Sequence, residues 1–209
     1  MKPKLKHIYP VIKFSHGFQI GDEPNFAVEI EDENNLFIKL IDLLDGSNNV
    51  ENIYNCMKID YPISFTEIQE IIESLNDMGV LENGEDTFAN ESEILRKKYN
   101  NNINYFSAFS NLNKSKFSFQ EKLCETKVLV IGMGGLGSNV LYQLSGLGVG
   151  NIVTVDFDDI EHKNLNRQIL YSENNIGKKK TDIGIERLKE FNSSINFNSY
   201  ERKINCEED

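Results

Sequence analysis

Apolar positions in the first third of the chain recur with two different periods. Residues 8–14 (Ile-Tyr-Pro-Val-Ile-Lys-Phe) are short and rich in β-formers, and in 26–31 the alternation puts Phe26, Val28 and Ile30 on one face, so both stretches predict strands. Gly17, Gly21 and Pro24 between them read as turns. The period then lengthens. Leu36, Phe37, Leu40, Ile41 and Leu44 fall at helical spacing, and Asp45-Gly46 ends that helix. Residues 50–57 predict a second helix. A third starts at Ser64, three residues before Glu67 in a capping-box pattern, with an apolar stripe of Phe65, Ile68, Ile71, Ile72, Leu75 and Met78 closed by Gly79. Val80-Leu81 is a last short strand. Strands followed by three helices predict an α+β, winged-helix-like domain over residues 1–85. Residues 86–119 read as a linker, polar at first, with the basic run Arg96-Lys97-Lys98 and a short helix near 90–98.

At Lys127 the pattern changes again. Val128–Ile131 is a continuous apolar strand, followed by Gly132-Met-Gly134-Gly135-Leu-Gly137 and an apolar helix through Val140, Leu141, Leu144 and Leu147. Residues 152–156 (Ile-Val-Thr-Val-Asp) form the next strand. This is a βαβ unit, whose crossover requires a parallel sheet. A helix over 180–191 and a weak strand within 194–204 complete a βαβαβ arrangement, so residues 120–209 predict an α/β, Rossmann-like domain of which only the first half is present.

Composition narrows the function. The 209 residues carry 22 Lys and Arg against 33 Asp and Glu, a formal charge of −11. The excess is concentrated early: residues 1–125 hold 12 basic and 21 acidic residues. Such a surface repels phosphate backbones and anionic lipid, which argues against a nucleic-acid binder or a peripheral membrane protein. No run approaches the roughly 18 apolar residues of a membrane span, and the basic start Met1-Lys-Pro-Lys is not followed by the apolar core of a signal peptide. Cys56, Cys124 and Cys206 are odd in number and far apart, which suits neither a disulfide framework nor a zinc site and fits the cytoplasm.

The pattern Gly132, Gly134, Gly137 lies between a strand and a helix, with Asp156 at the tip of the next strand. The first glycine allows a tight turn, the second lets backbone N–H groups approach a phosphate, and the helix N-terminus favours negative charge. Asp156 can accept from a ribose hydroxyl. The alternative without function is a plain helix–sheet turn. Turn and acid alone suit a nicotinamide dehydrogenase, but Arg167 and Lys180 follow downstream, and a triphosphate needs cations that a dinucleotide pyrophosphate does not. Lys178-Lys179-Lys180 at a helix start opposes the helix dipole, a mild cost unless something anionic binds.

Residues 120–205 resemble the ThiF/MoeB family, the bacterial relatives of ubiquitin-activating enzymes, through Gly132–Gly137, Val155-Asp-Phe-Asp158, Asn164-Leu-Asn-Arg-Gln168 and Gly177-Lys-Lys-Lys180-Thr. The resemblance implies ATP as cosubstrate and adenylation of a C-terminal carboxylate with release of pyrophosphate. It assigns Arg167 and Lys180 to the triphosphate as the catalytic cations, Asp156 to ribose, and Gly132, Gly134, Gly135, Gly137, Asp158, Asn164 and Gln168 to the same nucleotide site. Spacing and element order are similar to the microcin-maturing branch, which activates a peptide.

Residues 5–82 resemble the PqqD-like leader-peptide recognition domains of ribosomal-peptide biosynthesis, through Leu40–Gly46, Val50–Ile53, Phe65–Ile68 and Leu75–Leu81. The resemblance implies that a precursor leader adds as a strand to a sheet edge, which places Phe26, Val28, Ile30, Glu67, Glu70 and Ser74 at a peptide site. The alternative is that most of the apolar stripe is core. A DNA-reading helix is disfavoured because 66–77 carries Glu67, Glu70, Glu73 and Asp77 with no Lys or Arg.

Departures from the family are informative. A magnesium-binding Asp and zinc-binding Cys pairs are expected beyond residue 209, and no residue within the chain is assigned to a metal. Arg96 is the nearest candidate for a phosphate-binding Arg ahead of the first Rossmann strand, and the expected second Arg is replaced by Asn. His7, His16 and His162 have no catalytic setting. Two functions follow: an adenylating enzyme of ribosomal-peptide maturation, or a silent adaptor that delivers precursor to a partner modifying enzyme. The family also implies a homodimer.

Overall fold

The computed structural model describes residues 1–22, 27–88 and 93–204. It divides into two compact units, Met1–Phe119 and Gln120–Asp209.

The first unit opens with strands β1 (Pro3–Leu5), β2 (Val11–Phe14), β3 (Gly17–Ile20) and β4 (Val28–Glu31). Strands β2, β3 and β4 form an antiparallel sheet in that order, leaving β4 at an edge. β3 departs from the expected turn around Gly17. Phe18 and Ile20 alternate into the core, and the glycine is needed because a Cβ there would fall 2.1 Å from Ile30 O of β4. Asp32 N–H donates to His16 O at 2.9 Å, so the pairs 16/32, 18/30 and 20/28 are the hydrogen-bonded ones. The main-chain groups of Glu29 and Glu31 therefore face the open edge. Helices α1 (Leu36–Leu43), α2 (Val50–Met57) and α3 (Phe65–Asp77) follow, and β5 (Leu81–Asn83) returns to pair antiparallel with β1. The capping box forms at α3: Ser64 Oγ accepts from Glu67 N–H, and Glu67 accepts from Ser64 N–H. Leu40, Ile53, Met57, Ile68 and Leu81 are fully buried at the centre of this unit.

The stretch expected as a linker is folded. It carries α4 (Glu93–Lys98), α5 (Asn100–Phe106), a 3-10 turn at Ser107–Phe109 and the start of α6 (Lys116–Glu125). Side-chain bonds to its backbone hold it down. Buried Lys6 donates to Ser110 O at 2.7 Å and to Gly79 O, and Asn76 Oδ1 accepts from Leu112 N–H at 2.8 Å. Lys116 pairs with the buried Glu82 at 2.9 Å. Burial pushes the Lys6 ammonium below its ordinary range while Glu82 opposes the shift.

The second unit is built on β6 (Lys127–Ile131), α7 (Gly135–Leu147), β7 (Asn151–Asp156), α8 (Lys180–Phe191) and β8 (Asn196–Glu201). The strands run parallel in the order β6-β7-β8, as the βαβαβ reading predicts. Ile152 of β7 and Phe197 of β8 pack with Leu141 of α7 and Leu188 of α8. No helix of the described residues is long and apolar enough to cross a membrane.

Candidate functional site

The turn between β6 and α7 is fixed by its glycines. Gly132 has φ +87°, the left-handed region that other residues adopt only under strain. A Cβ on Gly137 would lie 1.9 Å from Gly132 O, so the helix can start this close only without one. A Cβ on Gly135 would meet Arg167 Cγ and Cδ at 3.3 Å, which seats that side-chain stem over the helix start. The N–H groups of the first turn of α7 have no intrahelical acceptor, which makes the turn an anion site in waiting.

Asp156 does more than the sequence predicts. It is buried at the end of β7, and both its oxygens accept backbone N–H groups: Met133 to Oδ2 at 2.6 Å and Asp158 to Oδ1 at 2.8 Å. It thus shapes the turn while lining a cleft of about 390 Å3 with Gly132, Gly134, Asp158 and Lys180. That size lies in the range of small-molecule sites, roughly 300–1,000 Å3.

The three lysines at the start of α8 part ways. Lys180, 4% exposed, turns into the cleft and pairs with Asp158 Oδ2 at 2.7 Å. Lys179 turns to Asp159 (2.9 Å) and Glu201 (2.8 Å), whose hydrogen bonds, Glu201 first, hold its ammonium above the ordinary range. Carboxylates therefore offset much of the cost of cations at this helix start. Arg167 is exposed, its Nη1 donating to Lys163 O and Asn166 Oδ1 at 2.9 Å. Asn164 is buried and caps a 3-10 turn, accepting from Glu161 N–H at 2.9 Å. Gln168 is buried with no donor to its Oε1 among the described residues, and its Nε2 lies 3.8 Å from where a Cβ on Gly134 would be. A buried amide oxygen without a partner is the mark expected where a ligand supplies the missing donor.

Arg96 is stacked on the Phe117 ring at 5.6 Å within the first unit. Burial raises the Cys124 thiol, which leaves it a poor nucleophile. Among the described residues no group of three or more His, Cys, Asp or Glu could hold a metal. One residue that sequence reasoning missed is Tyr171: its hydroxyl lies 3.0 Å from Met133 O and 3.4 Å from Lys180 O, between the glycine turn and the start of α8. Nothing in its sequence context marks it.

A second cavity of about 600 Å3 lies in the first unit between β4 and α3. Ile30, Glu67, Glu70 and Ser74 line it, with an apolar floor that includes Phe37, Ile71 and Leu75. Of the other residues assigned to a peptide site, Val28 sits on β4 but not among this lining, and Phe26 lies outside the described residues.

The chain is 38% identical over 88 residues to the sulfur carrier protein ThiS adenylyltransferase of Escherichia coli, 42% of this chain and 35% of that protein. It is 42% identical over 89 residues to the adenylyltransferase and sulfurtransferase uba4 of Aspergillus clavatus, 43% of this chain and 18% of that protein. Among solved structures, E. coli MccB with MccA-N7isoASN superimposes with a TM-score of 0.71 at 24% identity, over 99% of this chain and 56% of that one. MccB has also been crystallised with ATP. The chain thus spans little more than half of the MccB chain and a smaller part of the two curated relatives. Residues 99–209 match the ThiF family, and the chain belongs to it.

Proposed function

We propose that the second unit binds ATP and that the protein adenylates a peptide carboxylate during maturation of a ribosomally synthesised peptide, with the precursor's leader held by the first. The observation that carries this reading is the convergence of Gly134, Asp156, Asp158 and the buried Lys180 on one cleft at the start of α7. Asp156 has lone pairs left for ribose hydroxyls, and the orphaned Gln168 oxygen beside Gly134 offers another acceptor. Lys180, with Arg167, supplies the cations that a triphosphate needs and a dinucleotide does not, so ATP is favoured over NAD.

In the reaction a carboxylate oxygen bonds to the α-phosphorus, and the bond from that phosphorus to the oxygen bridging to the β-phosphate breaks. Pyrophosphate leaves with the electron pair. The chain's part is to hold the phosphates and to offset the charge that gathers on the leaving group. Magnesium has only a partial donor set here: Asp158 faces the cleft but is tied to Lys180, so no step is assigned to a metal.

The N-terminal reading is a PqqD-like, winged-helix-like recognition unit. The open edge of β4 beside an apolar groove supports it, since a peptide strand would gain a ladder and side-chain pockets together. Glu67 and Glu70 lining that groove, with no Lys or Arg on β4 or α3, suit a leader with apolar anchors and basic flanks.

The test is precursor-dependent exchange of labelled pyrophosphate into ATP. Exchange with ATP and precursor supports the enzyme. ATP and leader binding without exchange supports the adaptor, and tighter NAD than ATP binding refutes the nucleotide assignment.

A further inference from the structure

We propose that Tyr171 is a positioning residue of the nucleotide cleft: through the Met133 carbonyl, its hydroxyl points the Gly134 N–H toward the phosphates. The proposal rests on the ATP reading above and concerns two consecutive peptide groups of the glycine turn.

The peptide joining Gly132 and Met133 is fixed by Asp156, which accepts the Met133 N–H at 2.6 Å, while its carbonyl points at Gly137 of α7. The next peptide, joining Met133 and Gly134, is fixed at its carbonyl end by Tyr171 at 3.0 Å. A hydroxyl has one proton to donate. Lys180 O, at 3.4 Å, lies in the first turn of α8 and takes the intrahelical bond four residues on, whereas among the described residues no other donor reaches Met133 O. The proton therefore belongs to Met133 O. In a trans peptide the C=O and N–H point in opposite directions. Drawing the Met133 carbonyl inward to Tyr171 aims the Gly134 N–H outward, and Gly134 lines the cleft and finds no acceptor for that N–H among the described residues.

The Met133 side chain leaves the turn little freedom to move otherwise. It is wholly buried, Thr154 Oγ1 lies 2.9 Å from its sulfur, and its methyl packs where a Cβ on Gly184 would clash. The phenol also stays a donor. Burial first, then the charges of Asp156 and Asp158, hold it protonated above the ordinary tyrosine range.

Tyr171→Phe keeps the ring and removes only the hydroxyl. Calorimetry with ATP and with adenosine on the 209-residue chain should show ATP binding weakened about tenfold, as for one hydrogen bond to a charged group, with adenosine changed less than about twofold. Without nucleotide, the Met133 carbonyl carbon resonance should shift upfield in the variant as it loses its donor. An unchanged carbonyl resonance, or equal losses for ATP and adenosine, overturns this assignment and leaves the nucleotide reading standing. A wild-type chain that binds neither ligand overturns both.

Discussion

At the scale of single residues, the cleft separates groups that bind from groups that build. Lys180 is nearly buried, and its ion-pair partner Asp158 sits beside it in the cleft. Lys180→Ala should therefore weaken ATP at least tenfold while adenosine affinity holds, because only phosphates feel that charge; equal effects on both in titration calorimetry would show a structural role. Asp156 is the building residue. Asp156→Ala would strand the buried Met133 N–H, at about 1–3 kcal/mol, and free the Asp158 N–H, which water can reach, so denaturant melts should show a loss of about 1–3 kcal/mol. These two acids and the lysine are legible in sequence because their order along the chain follows the strand–turn–helix path. Tyr171 is not, since the carbonyls it touches belong to residues 38 and 9 positions away and meet it only in the fold.

At the scale of elements, helices were easier to foresee than strands. The stripe from Phe65 to Leu75 and the Ser64–Glu67 pair specify α3 locally, and the cap forms as read. Ser64→Ala should cost about 1 kcal/mol. Hydrogen bonds from Ser64 hold the Glu67 carboxyl below its ordinary range, so its stabilising contribution is present at neutral pH and is lost as pH falls through the acidic range. Melts from pH 7 down to 3 should therefore show the difference between wild type and Ser64→Ala shrinking. The short helix near 90–98 was foreseen and forms as α4, but the folded stretch after it was illegible for a physical reason. Lys6, Asn76 and Glu82 tie it down through individual polar contacts, which have no period to detect. Strand β3 was hidden by Gly17, whose role is close approach to β4 and not a turn. On β4, Glu29→Pro removes a donor on the open edge without touching the ladder to β3. Anisotropy of a labelled precursor leader should then show binding lost by tenfold or more with ATP affinity intact. Unchanged leader binding would place recognition elsewhere.

At the scale of the whole molecule, the described helices of the second unit cover one face of its parallel sheet. Val128 and Val130 of β6, Ile152 of β7 and Phe197 of β8 turn toward α7 and α8, which both crossovers place on the same side. The strand register lines up Leu129 and Ile131 with Val153 and Val155, and Val155 with Tyr200, on the opposite face. There Leu129 is 57% exposed, Ile131 64% and Tyr200 59%. Purely parallel sheets occur almost only with both faces buried, and an apolar face beside a free edge strand invites pairing. The 209-residue chain should accordingly self-associate, and light scattering should report a dimer or larger species at micromolar concentration. Leu129→Lys places a charge in the middle of that face, away from the cleft lining, and should shift the chain toward monomer without lowering its melting temperature beyond the loss of the interface. A wild-type chain that remains a well-behaved monomer across the concentration range would show that this sheet tolerates an open face, and would remove self-association from the account of how the second unit is stabilised.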